Sequence, residues 1–128
     1  MSQYTGLGNY MKMRIASIEP NVVRMTVEGE FQPPNAEEQS QGLAAMLGDT
    51  WASKRVLIDF SGVRMAGSAA IGWLLTLQRQ FRQAGGRLAL HSMRPDVARS
   101  FKLLRVDSVL NIFPEEHMAL EALEASNA

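Results

Sequence analysis

The chain contains no cysteine. That excludes disulfides, thiolate catalysis and cysteine-type zinc sites, and it fits a reducing compartment. There is no charge surplus either, because 13 basic residues cancel 13 acidic ones. Nucleic-acid and anionic-membrane surfaces rely on a basic excess, so neither is expected as the main partner. No apolar run is long enough to span a bilayer. Met1–Met11 lacks a basic stretch followed by an apolar one, so no signal peptide is expected. These absences leave a soluble cytoplasmic domain as the expectation.

What remains is an ordinary globular composition: 128 residues, 46% hydrophobic and 20% charged, which suffices for one domain with a real core. Residues 1–10 are polar and glycine-bearing and read as a flexible arm, with a single domain over residues 11–125. Met11 to Ile18 alternates apolar and polar residues, as does Val22 to Phe31, and Glu19-Pro20-Asn21 turns between them. This predicts an antiparallel hairpin. Pro33-Pro34 stops the second strand. Asn35 and Glu38 then form a capping-box-like start to a helix that ends near Leu47, with Leu43, Met46 and Leu47 inward. Arg55 to Phe60 is a continuous apolar run, the mark of a strand buried on both faces.

A polar loop, Ser61 onward, leads to a helix from Ser68 to Gln83. Ile71, Leu74, Leu75, Leu77 and Phe81 form its inner stripe. Trp73 sits at the stripe's margin and reads as the exposed one of the two tryptophans. Gly85-Gly86 closes the helix with a left-handed cap. Arg87 to His91 is the next strand. Pro95 opens a third helix that buries Val97, Phe101 and Leu104 at i, i+4 and i+7. Val109 to Phe113 makes a last strand, and Pro114 opens a final helix to Ala125. The order β-β-α-β-α-β-α-β-α implies an α/β fold: a mixed, mostly parallel sheet of about five strands with four helices.

Catalytic signatures are missing. Ala66-Gly67-Ser68-Ala69-Ala70 occupies the strand-to-helix elbow of a hydrolase, but alanines stand where that elbow needs glycines. His91 ends a strand and His117 lies in the first turn of the last helix, so neither is placed as a base for Ser68. No phosphate loop or dinucleotide fingerprint occurs, and Glu115-Glu116-His117 lacks metal-ligand spacing. Asp59 ends a strand, where a carboxylate usually serves the turn. No catalytic residue, metal or cofactor is expected. Recognition remains, and the carboxyl edge of a parallel sheet is where such folds present it. Ser68, at the helix start, is placed to cap the helix or to carry a phosphate. Met65, Ala66 and Ala69 are small or adaptable residues suited to an interface.

The run Val56–Leu75, then Gln80–Leu90 with its Ala-Gly-Gly-Arg-Leu, then Val97–Val109 and the acidic last helix, resembles a STAS domain. Gly29-Glu30-Phe31 is similar to that family's Gly-Glu-Leu at the end of its second strand. The resemblance covers about Met11 to Leu123. It implies a non-enzymatic bacterial signalling module of the anti-sigma factor antagonist type. Such modules regulate transcription by partner switching: unphosphorylated, they bind an anti-sigma factor that is also a serine kinase. Phosphorylation at the start of the second helix blocks that binding.

The chain departs from the family motif Asp-Ser-Ser-Gly-Leu-Gly, whose second serine is the acceptor. Here the residues are Gly67-Ser68-Ala69-Ala70-Ile71-Gly72. Ala69 stands at the usual acceptor position, so Ser68 is the one phosphoacceptor candidate. The resemblance implies a partner-binding surface of Met65, Ala66, Gly67, Ser68, Ala69, Ala70, Ile71 and Trp73. The expected partner is an anti-sigma factor or kinase-like ATPase, with a homodimer left open and no membrane insertion. The alternative is an accessory subunit of a phospholipid ABC transport system, whose STAS subunits share a hydroxyl residue followed by alanine. A third reading, a nucleotide-binding or scaffold domain, finds no phosphate-cradling glycines here.

Overall fold

Alternating apolar residues draw the first half of the chain into strands whose inner side chains meet one helical layer. The computed structural model describes residues 3–5, 11–31 and 43–125. Its elements are β1 (Gln3–Thr5), β2 (Met11–Ile18), β3 (Val23–Phe31), α1 (described over 43–47) and a 3₁₀ turn (Trp51–Ser53). There follow β4 (Arg55–Ala66), α2 (Ser68–Ala84), β5 (Arg87–His91), α3 (Pro95–Leu103), β6 (Ile112–Phe113) and α4 (Glu116–Ala125). The Asn35–Glu38 helix start lies outside the described residues.

The sheet order is β1-β2-β3-β4-β5-β6. The first three strands are antiparallel and β3 to β6 are parallel. The mixed α/β architecture is the expected one, with a sixth strand: Gln3–Thr5, read from the sequence as part of an arm, pairs with β2.

Two cores flank the sheet. Met13, Ile15, Val23, Met25, Val27, Val56, Ile58 and Phe60 point into the larger one, against Leu43, Trp51 and the inner faces of α2 and α3. Trp51 meets Phe81 edge-on, with ring centroids 5.4 Å apart at 81°, an arrangement the ring quadrupoles favour. Leu57 and Ala89 point the other way, beneath Ala119 and Leu123 of α4. So β4 is buried on both faces where the continuous apolar run predicted it.

Three expectations are corrected. The strand does not end at Phe60: β4 runs on to Ala66, paired with the end of β3 through register shifts between Thr26 and Glu28 and between Gly29 and Glu30. These shifts let a polar, glycine-bearing stretch stay in the ladder. Gly62 is needed there, since a Cβ on it would lie 2.8 Å from the Glu28 Cβ. Next, Trp73 is buried at 8% exposure, in the larger core. Finally, Leu104 is 55% exposed. Helix α3 stops one residue before it, Arg105 adopts φ 59°, and the Val106 N–H bonds the Phe101 carbonyl. That closing motif tucks Val106, not Leu104, against the core.

The close of α2 follows expectation. Gly85 has φ 86°, and the Gly86 N–H reaches the Phe81 carbonyl at 2.8 Å.

Candidate functional site

The end of β4 and the start of α2 form one surface at the carboxyl edge of the parallel strands. Its base is fixed by local hydrogen bonds. The Asp59 carboxylate accepts the Ser61 N–H at 2.8 Å, the turn-serving role expected of it. The Arg94 Nε, just ahead of α3, donates to the Ser61 carbonyl at 3.2 Å. Ser61 is thus satisfied from outside the ladder at the first register shift. Beyond it, Met65 pairs with Glu30 and Ala66 with Phe31 in the strand register.

Gly67 is the N-cap of α2, extended at φ −86° and ψ −176°. It carries no side chain, so no side-chain hydrogen bond caps the helix. Ser68 follows as the first helical residue, exposed and without a side-chain hydrogen bond to any described residue. The capping role expected of its hydroxyl is therefore not filled; capping belongs to the residue before the helix, and that residue is glycine. The first turn of α2 also carries no acidic residue. Within that turn no acidic side chain offsets the partial positive charge of the N–H groups.

The named surface residues divide by burial. Met65 is 54% exposed, and Gly67 and Ser68 are exposed. Ala66 is half-buried and packs on the core. Ala70, Ile71 and Trp73 are buried at 1%, 4% and 8% exposure. Those three cannot meet a partner directly; they pin the start of α2 to the sheet. Ala69 lies in α2 by its backbone. Sequence reasoning missed Arg64 and Gly72, both exposed. Gly72 is four residues after Ser68, hence on the same helical face. A Cβ at Gly67 or at Gly72 would meet nothing within 4 Å. The signal for Gly72 was its i+4 spacing.

The other candidates sit elsewhere. His91 is 4% exposed, and its Nδ1 lies 2.8 Å from the Ser92 hydroxyl. Burial holds its pKa below the usual imidazole value, opposed by the charges of Asp59 and Glu116. His117 is exposed and lies 3.2 Å from a Glu115 oxygen. Neither bonds to Ser68. Among the described residues no three histidines or carboxylates gather as a metal site. No helix among them is long and apolar enough to cross a membrane.

Comparison with known proteins finds similarity in sequence and in fold. A family model described as "Mlab, STAS domain" matches residues 16–113. A protein of Bordetella bronchiseptica that carries the name of anti-sigma factor antagonist BtrV is 28% identical over 104 residues, 81% of this chain and 84% of that protein. The crystal structure of an anti-sigma factor antagonist from Mycobacterium paratuberculosis superposes with a TM-score of 0.71 at 20% identity, over 94% of this chain and 99% of that one. The murine anion transporter Slc26a9 matches with a TM-score of 0.67 at 21% identity. The chain spans 18% of that transporter's length, and the likeness is one of fold.

Proposed function

The chain belongs to the STAS domain family, and from that membership we propose that it is a non-enzymatic regulatory module that binds a protein partner through the start of α2. The observation that carries this reading is the uncapped helix start. Met65, Gly67, Ser68 and Gly72 form an exposed surface, small in side chain except at Met65, held rigid by buried Ala70, Ile71 and Trp73. Small residues let a partner's backbone and side chains approach the free N–H groups closely. The partner is an anti-sigma factor, the class that the relatives are named for antagonising, or a related kinase-like ATPase. With Ala69 at the family's acceptor position, the surface acts without phosphorylation there. A charge at Ser68, whether phosphate or glutamate, would stand in the middle of the contact and disrupt it.

The test uses wild-type protein and Ser68→Glu as parallel baits in native lysate, with captured proteins identified by mass spectrometry. A kinase-like ATPase or anti-sigma factor held by wild type and lost by the variant supports the reading. An ABC-transport ATPase in that place assigns the chain to phospholipid transport, the reading that Ser68-Ala69 favours. Capture indifferent to Ser68→Glu removes the start of α2 from the interface.

A further inference from the structure

Charge is segregated along this neutral chain. Residues 79–105 hold seven arginines and lysines against one acid, Asp96. Residues 106–128 hold five acids and no arginine or lysine. The fold puts the basic helices α2 and α3 and the acidic helix α4 on opposite sides of the sheet, while Asp107 stays in the loop after α3 on the basic side. Helices α2 and α3 pack on the larger core, and α4 covers the smaller one. Apart from Asp107 and the paired Glu116, the acids of residues 106–128 are displayed on the face opposite the basic helices.

Each face also carries exposed apolar groups. Leu103, Leu104 and Val109 are 75%, 55% and 48% exposed, around the end of α3 and the loop that follows. Their neighbours Lys102 and Arg105, and Arg82 at the end of α2, make no ion pair with a described residue. Val109 edges a cavity of about 540 Å³ that Phe81 and Leu88 line on the apolar side and Arg82 on the charged side. On α4, Met118 is 39% exposed, and Glu121 and Glu124 are exposed without an ion pair to a described residue. Glu116 is already taken by Arg24, at 2.6 Å.

We propose that the α3 patch is a docking surface for α4 of a second copy of this chain. Met118, an unbranched and adaptable side chain, enters the recess beside Val109. Glu121 and Glu124 meet the unpaired cations of the rim. Because the two patches differ, the contact is head-to-tail, and it propagates rather than closing as a two-fold dimer. Exposed charges carry part of the attraction, so association is weak and falls as salt screens them. This contact is separate from the partner surface at the start of α2, and its test needs no partner.

Light-scattering mass is measured on purified protein over a wide concentration series. Wild type rises above 14.2 kDa with concentration at low salt and returns toward it at high salt. Two variants each block one face: Val109→Asp puts an acid at the recess, and Glu121→Lys/Glu124→Lys reverses α4. Both substitutions fall on exposed side chains, and circular dichroism checks the fold. Each variant alone stays monomeric. Mixed, they give a discrete one-to-one dimer, because one intact patch and one intact α4 remain. Wild type that stays at monomer mass throughout overturns the proposal. Self-association of the α4 variant alone also overturns it, because the α3 patch would then pair with itself.

Discussion

Ser68 separates two roles that a sequence cannot distinguish, and stability measurements on two substitutions decide between them. A serine at the N-cap contributes about 1 kcal/mol through its bond to a first-turn N–H. In the structure the N-cap is Gly67, and Ser68 is the first helical residue with an exposed hydroxyl and no side-chain bond to a described residue. Ser68→Ala should therefore change unfolding free energy by less than about 0.5 kcal/mol, the range of ordinary surface substitutions. Ser68→Glu should stabilise. It adds a carboxylate to a first turn that has no acid, on a 17-residue helix, and such a charge contributes about 0.3–1 kcal/mol at low salt. For a chain of 128 residues that is a rise in Tm of about 1–4 °C. Urea unfolding gives the first number and calorimetry at low and high salt the second. A loss above about 1 kcal/mol in Ser68→Ala would mean that the hydroxyl caps the helix after all. A lower Tm in Ser68→Glu would mean that the first-turn N–H groups are already neutralised. If both values come out as expected, loss of partner binding in Ser68→Glu cannot be blamed on a damaged fold.

Gly86→Ala should cost at least about 2 kcal/mol in urea unfolding, because overpacking against rigid backbone cannot relax; its Cβ would run into the carbonyls of Ala52 and Lys54. Gly85→Ala, at φ 86° with nothing within 4 Å of the new Cβ, should cost about 1 kcal/mol from the left-handed backbone alone. His91 gives a pH dependence of defined sign. Burial disfavours its charged form in the folded chain, so the unfolded chain takes up the proton first, near the usual 6.5. Stability is full above that value, falls as pH drops below it, and levels off below the folded-state pKa. Asp59 and Glu116 draw the value back up and Arg24 pushes it down. His91→Gln should flatten the pH profile in that window, and an unchanged slope would assign it to other groups.

Periodicity was most informative where one physical demand dominates. Val56, Ile58 and Phe60 alternate with Leu57 between two cores, and the consecutive apolar residues Val56, Leu57 and Ile58 state that both faces are covered. Gly85-Gly86 marks a helix end because only glycine takes that left-handed angle and that close approach at low cost. The misses come from tertiary context. Ser61, Gly62 and Arg64 read as a loop because their composition is polar. They remain a strand because β3 runs on beside them and bulges absorb the mismatch. Trp73 lies at the margin of the apolar stripe by spacing, yet the start of α2 packs deeply enough to bury Ala70, Ile71, Trp73 and Leu74 together. Leu104 fits the i+7 spacing, but Arg105 ends the helix with a left-handed turn that composition does not announce.

The candidate site was legible in place and illegible in detail for one reason: it consists largely of missing groups. Its position follows from topology, since β4 and α2 meet at the carboxyl edge of parallel strands. Its chemistry follows from a cap without a side chain, a first turn without an acid, and open space beside Gly67 and Gly72. Around Gly67, Ser68 and Gly72 there are few flexible side chains to order on binding, so the conformational entropy lost there falls mainly on Met65. The same economy makes it sensitive to added charge, because an anion at Ser68 would occupy the N–H groups left open to a partner. Ser68→Glu is therefore the substitution for which folding and binding should move in opposite directions, and a merely structural serine would not produce that divergence.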